Sequence, residues 1–261
     1  MSVAGGSLPI EPLGYYRGVI DVTGVTQPFS ERQRFVAAAL AVSLALMVGA
    51  GILMPAAFGF DIGALAHPGS IVDGGQAVAD LLRRGALVDM ASYLPMAVVV
   101  VYVHYQLRDR NPLLVTVLTA CGLAYVLIGS IAGVLVASVG PPLIEGYAAA
   151  SEAGREAARV SLESVGNAAF VGLWGTLELI AIGVWFIGVG WLLRSDWPPF
   201  AALSVFVGIG TLAASLRTGL TGRTIVDLGG PLDFVILGAS GLIFVWQIWL
   251  AARLWRGRPG S

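Results

Sequence analysis

The chain has 261 residues, of which 57% are hydrophobic and only 12% charged, with a formal net charge of -1. A soluble domain carries about a quarter charged residues, so a water-facing globule is excluded. With no basic run to neutralise phosphates, a nucleic-acid partner is excluded too.

Residues 1–34 read as a cytoplasmic amino-terminal tail. They hold Glu11, Arg17, Asp21, Glu31, Arg32 and Arg34 ahead of any long apolar run, unlike the short charged start of a secretory leader, so the first helix is expected to be retained. From residue 35 to 253 the pattern is that of an all-α, polytopic membrane helix bundle. A bilayer core about 30 Å thick needs roughly 20 mostly apolar residues per helix. Six segments meet that length, at about 35–57, 85–107, 113–138, 167–193, 201–215 and 232–252. The fifth is the shortest and is expected to extend to Pro198 and Arg217. Residues 254–261 form a short carboxyl tail.

All the cationic residues are arginine, which with the Ala, Gly and Val richness suggests a GC-rich bacterial source. Placing both termini in the cytoplasm puts nine arginines on that side against six on the other. It also sets Tyr102, Tyr105, Trp191, Trp197, Trp249 and Trp255 at the inner interface, where amphipathic rings sit best. The expected location is therefore the bacterial plasma membrane, with the lipid bilayer as the first partner. The inner connections, Arg108-Asp-Arg-Asn-Pro and Arg194-Ser-Asp-Trp-Pro-Pro, are tight. Between the third and fourth spans, residues 141–165 carry small and apolar residues at helical spacing, with Glu145, Glu152, Glu156 and Arg159 elsewhere. This predicts an additional external amphipathic helix, although Gly154 weakens its middle.

Small residues at four-residue spacing allow close helix contact in lipid. Gly129 and Gly133 form such a pair in the third span, as do Ser204 with Gly208 and Gly210 with Ala214 in the fifth, and Gly238 with Gly241 adds a small patch in the sixth. Pro95 frees the carbonyl of Ala91 and predicts a kink in the second span.

Glu178 carries the most information. It falls deep within the fourth span, where an ionised carboxylate costs about 2.5 to 3.5 kcal/mol, so it must be neutral, paired or facing a wet cavity. Tyr125, Ser130, Ser92 and Ser240 on other helices are near its level. Two readings stand side by side: a hydrogen-bonded carboxyl that glues helices together, and a proton or ligand site. Asp89, Arg217 and Asp233 fall near the outer ends of the second, fifth and sixth spans. They form a candidate outer ion network that either staples helix ends or floors a polar site, with Arg84 and Arg223 nearby.

Gly238-Ala-Ser-Gly241 resembles the nucleophile motif of rhomboid proteases, but both histidines, His67 and His104, precede it, and His104 is expected at the inner edge, out of reach of Ser240. There is no Cys/His metal spacing, phosphate loop, dinucleotide fingerprint or Gly-x-Ser-x-Gly elbow. Neither a cofactor nor a metal is expected, and the balance leans away from an enzyme.

The six-span pattern, the Tyr147-Ala-Ala-Ala external segment, and a fourth span ending Trp185-Phe-Ile-Gly-Val-Gly-Trp191-Leu-Leu-Arg before a short turn resemble the bacterial membrane proteins grouped as domain of unknown function 4386. The resemblance implies a fold and a location and supplies no catalytic residues. The functional expectation is a non-enzymatic membrane protein whose polar site around Glu178 takes a small apolar or amphipathic ligand, a lipid, or the helix of a membrane partner subunit. The alternative is a small-solute or proton-coupled transporter.

Overall fold

The structure, a computed structural model, describes residues 29–61, 64, 66–222 and 231–256, without the side chains of residues 29, 30, 231–237 and 240. Helices α1 (Phe29–Ala57), α2 (Gly75–Leu107) and α3 (Pro112–Tyr147) are followed by α4 (Glu152–Leu193), α5 (Pro198–Thr221) and α6 (Pro231–Trp255). A short 3-10 turn, Pro68–Ile71, lies between α1 and α2. Five of these helices are long and apolar enough to cross a membrane, and α6 contains a shorter apolar stretch, Gly241–Trp255. The chain is thus a multi-pass helix bundle. Each helix packs on the next in sequence, and α6 returns to α1, closing a ring.

The ring interior is built from large side chains. Trp185 and Phe186 of α4, Phe200 of α5 and Trp246 of α6 are essentially inaccessible. The Trp246 indole N–H donates to Ser204 Oγ at 2.7 Å, giving the one polar atom of that side chain the partner it needs in an apolar interior. Outward faces carry exposed Leu94, Val117, Leu127, Phe206, Leu216 and Ile248, as lipid contact requires.

The two tight turns follow from their sequences. Asn111 caps α3 by accepting from Leu114 N at 3.1 Å, and Pro112 takes the first helical position, where its missing N–H costs nothing. Pro198 opens α5 after Trp197 in the same way. Arg110 ties the two turns together, pairing with Asp196 and donating to the Leu192 carbonyl at 2.6 Å. Gly222 ends α5 at φ 66, with its N–H on Thr218 O, the left-handed stop that glycine adopts without strain. We expect Asn111→Ala to lower unfolding stability by about 1 kcal/mol, read as an earlier thermal transition of the detergent-solubilised chain. An unchanged transition would show the turn to be held by the arginine alone.

The stretch expected as a separate external helix is divided differently. α3 continues through Pro141 and Pro142 to Tyr147, the chain breaks at residues 148–151, and Ser151 caps a new helix by accepting from Gly154 N at 3.3 Å. Gly154 thus lies in a first turn and not mid-helix. Residues 152–167 are amphipathic but run without interruption into the fourth span. Glu163 anchors this extension to the 3-10 turn by accepting from Gly69 N at 2.6 Å. Arg83 joins α2 to α3 through Glu145 at 2.8 Å. α2 also begins earlier than its apolar run, at Gly75, and passes through Pro95 as one helix.

Gly129 and Gly133 set the α2–α3 contact: a Cβ at 129 would fall within the Tyr93 ring, and one at 133 would lie 2.9 Å from the Ala86 carbonyl oxygen. Gly208 likewise meets the Gly183 carbonyl at 2.7 Å, seating α5 on α4. At Gly238 and Gly241, by contrast, a Cβ would meet nothing within 4 Å among the described residues, while Ala239 between them packs on Gly210 of α5.

Candidate functional site

α2 supplies the first half of the site. Asp89 and Tyr93 are four residues apart and so share a helix face. The Tyr93 ring is buried, fitted over Gly129 and edge-on to Tyr125, with ring centroids 5.2 Å apart.

α4 supplies the second half through an unusual backbone. Residues Ala168–Glu178 form a π-helix, a geometry normally confined to single-turn bulges and frequent at functional sites. Local chemistry supports it. Thr176 Oγ1 donates to the Val171 carbonyl five residues back at 2.7 Å, and Ser215 of α5 donates to the Thr176 carbonyl at 3.0 Å. At Gly175 a Cβ would stand 2.5 Å from the Phe170 carbonyl oxygen and 2.7 Å from Thr218 Cγ2, so only glycine fits. Glu178 ends this stretch. It is 7% exposed, and the Tyr93 hydroxyl lies 3.1 and 3.0 Å from its two carboxyl oxygens.

Around this pair is a partly open cavity of about 350 Å3 between α1, α2, α4 and α6. Asp89, Tyr93, Glu178 and the indole N–H of Trp174 supply its polar groups, beside Met47, Gly51, Phe170 and Phe244. No cation lines it. α1 packs against α2 and α6 but makes no substantial contact with the π-helical stretch; the cavity occupies that place. Two lining side chains keep a buried polar atom without a hydrogen-bond partner among the described residues: Asp89 at Oδ2 and Trp174 at Nε1. Buried polar atoms are nearly always paired, and exceptions call for an explanation.

Of the residues singled out in the sequence, Glu178 and Tyr125 meet around Tyr93. Ser92 is buried, but it offers its backbone carbonyl to Ser43 Oγ of α1 at 2.8 Å. Ser130 Oγ is buried without a hydrogen-bond partner among the described residues and does not line the cavity. The side chains of Ser240 and Asp233, and all of Arg223, lie outside the described residues. Asp89 lines the Glu178 cavity, and among the described residues no ion pair joins it to Arg217. α2 begins early, so Asp89 stands in the helix interior. Tyr93 and Trp174 were missed. The four-residue spacing of Asp89 and Tyr93 was the available signal for the first, and none was available for the second. His104 Nδ1 lies 2.8 Å from Thr119 Oγ1 of α3, a link between two helices.

A second cavity, of about 720 Å3, opens at the other end of the ring, where Gln33, Tyr102, Gln106, Arg110, Trp197 and Arg253 line it. The Arg253 guanidinium stacks on Trp197 at 4.0 Å. Tyr93 and Tyr102 on α2 mark the two cavities, about 13 Å apart at 1.5 Å per residue. The packed Trp185, Phe186 and Trp246 fill the ring between them.

The family model described as domain of unknown function (DUF4386) matches residues 35–255. No curated protein and no solved structure matches the chain.

Proposed function

We propose that this chain, which belongs to the DUF4386 family, is a non-enzymatic membrane protein that binds a small amphipathic molecule in the cavity around Glu178. One observation carries the reading: a buried carboxyl–phenol pair faces an apolar cavity of about 350 Å3 and not a neighbouring helix. A carboxyl serving only as helix glue needs no such space, and every unfilled volume loses packing contacts. The size falls at the lower end of small-molecule sites, about 300 to 1,000 Å3, which are mostly apolar with a few polar groups fixing orientation. Glu178 and Asp89 would take the polar end, and Met47, Phe170, Trp174 and Phe244 the apolar body. No nucleophile with a base within reach is present among these lining residues.

The second cavity at the opposite end of the same ring supports an alternative, a transporter in which the Trp185, Phe186 and Trp246 layer separates two approaches to one site. For either reading we take the end bearing the two tight turns as the cytoplasmic face of a bacterial inner membrane.

Gly51 gives the test. It lines the cavity, is exposed, and a Cβ there meets nothing within 4 Å, so Gly51→Trp plugs the space without disturbing a packed contact. We expect saturable binding of small aromatic probes to the purified chain to disappear in Gly51→Trp while its thermal transition stays put. Binding that survives the plug would remove the cavity from consideration. Flux in vesicles that is likewise blocked would favour the transporter.

A further inference from the structure

We infer that the occupant of the Glu178 cavity is a lipophilic monovalent organic cation, a small aryl or alkyl ammonium; this deepens the binding function proposed above and rests on it. The first argument is charge. Two carboxyl side chains, Asp89 and Glu178, line one apolar space that no arginine enters among the described residues. Ionisable groups at membrane depth ordinarily pair with one another or face a polar cavity, and mark functional paths. Among the described residues Glu178 has only the neutral phenol of Tyr93, and Asp89 Oδ2 has no hydrogen-bond partner. A cationic ligand provides the missing charge beside that unpaired oxygen.

The second argument is the walls. Tyr93, Phe170, Trp174 and Phe244 surround the carboxyls, and the faces of aromatic rings attract cations, most strongly when these are weakly hydrated quaternary or alkyl ammonium groups. The same walls argue against an inorganic ion. Calcium takes six to eight oxygen ligands, the site offers two carboxyls and one phenol, and no group of three metal-binding side chains occurs among the described residues. An anionic amphiphile would meet two carboxyls and, among the described residues, no cation.

The test uses two molecules of nearly the same shape: benzyltrimethylammonium, and neopentylbenzene, in which carbon replaces the charged nitrogen. Each is titrated into the full chain in detergent, as wild type, Asp89→Asn, Glu178→Gln and Gly51→Trp, counting only binding that the tryptophan plug abolishes. The cation should bind wild type at least about tenfold more tightly than its neutral isostere, and should lose about tenfold or more in either carboxyl variant. Retained binding of the isostere in those variants shows that the cavity is still formed. If both molecules bind equally and neither variant matters, the cation assignment falls while an apolar-ligand site stands. If the plug removes no binding of either molecule, the site itself falls.

Discussion

Glu178→Leu will abolish ligand binding by the cavity and lower the thermal stability of the chain, and adding Tyr93→Phe will restore the stability but not the binding. The two effects separate because they have different origins. Leucine fills much of the volume of glutamate but offers no acceptor, so the Tyr93 hydroxyl, buried over Gly129, loses both oxygens it now touches at 3.1 and 3.0 Å. Interhelical hydrogen bonds within membranes are worth about 1 kcal/mol, and about 2 at most, so the single variant should unfold only modestly earlier. Removing both partners leaves two apolar side chains in contact with nothing unsatisfied, which is close to neutral. The carboxyl that would orient a ligand is absent in both variants, and there the loss should exceed tenfold in affinity. If the double variant still binds, Glu178 is interhelical glue and no more. If the single variant neither unfolds earlier nor loses ligand, it has no role in either.

How much of this was legible depended on the physical range of each signal. Glu178 stood out because a carboxyl in a long apolar run is costly wherever its neighbours are. The six helices stood out because hydropathy over about 20 residues is a local property. Helix ends were harder. The early start of α2 at Gly75 lies in a stretch holding Asp80, Arg83 and Arg84, which reads as loop by hydropathy. That stretch is nonetheless rich in helix-forming Ala, Leu and Arg, with Arg83 bonded to Asp80 one turn back and to Glu145 of α3. The loop reading misplaced Asp89 at a helix end and hid its company with Glu178. The external segment misled for a related reason: its helical spacing was real, but a four-residue break at 148–151 divides it between α3 and α4. The π-helical stretch left no sequence signature, because Gly172 and Gly175 are two among 35 glycines and the hydroxyl that accommodates it, Ser215, comes from another helix.

The same local motif can also mean opposite things, and a pair of substitutions exposes this. Gly129→Ala is expected to destabilise the chain by about 1 to 3 kcal/mol, the usual cost of forcing an extra methyl into a packed core, whereas Gly238→Ala should be neutral or slightly stabilising. Both glycines were read as small residues at a helix contact. At 129 the new methyl would overlap the ring of Tyr93; at 238 it would meet nothing among the described residues. Alanine is also the better helix former by up to about 1 kcal/mol, which favours both substitutions and is outweighed only where there is a clash. The consequence at 129 reaches the site, since the ring that must move carries the hydroxyl bonded to Glu178. Gly129→Ala should therefore weaken ligand binding as well as stability, whereas Gly133→Ala, whose methyl would press on the Ala86 carbonyl and Met90, should cost comparable stability with a smaller effect on affinity. Equal losses of affinity at 129 and 133 would mean that the α2–α3 contact acts on the cavity as a whole and not through the placement of Tyr93.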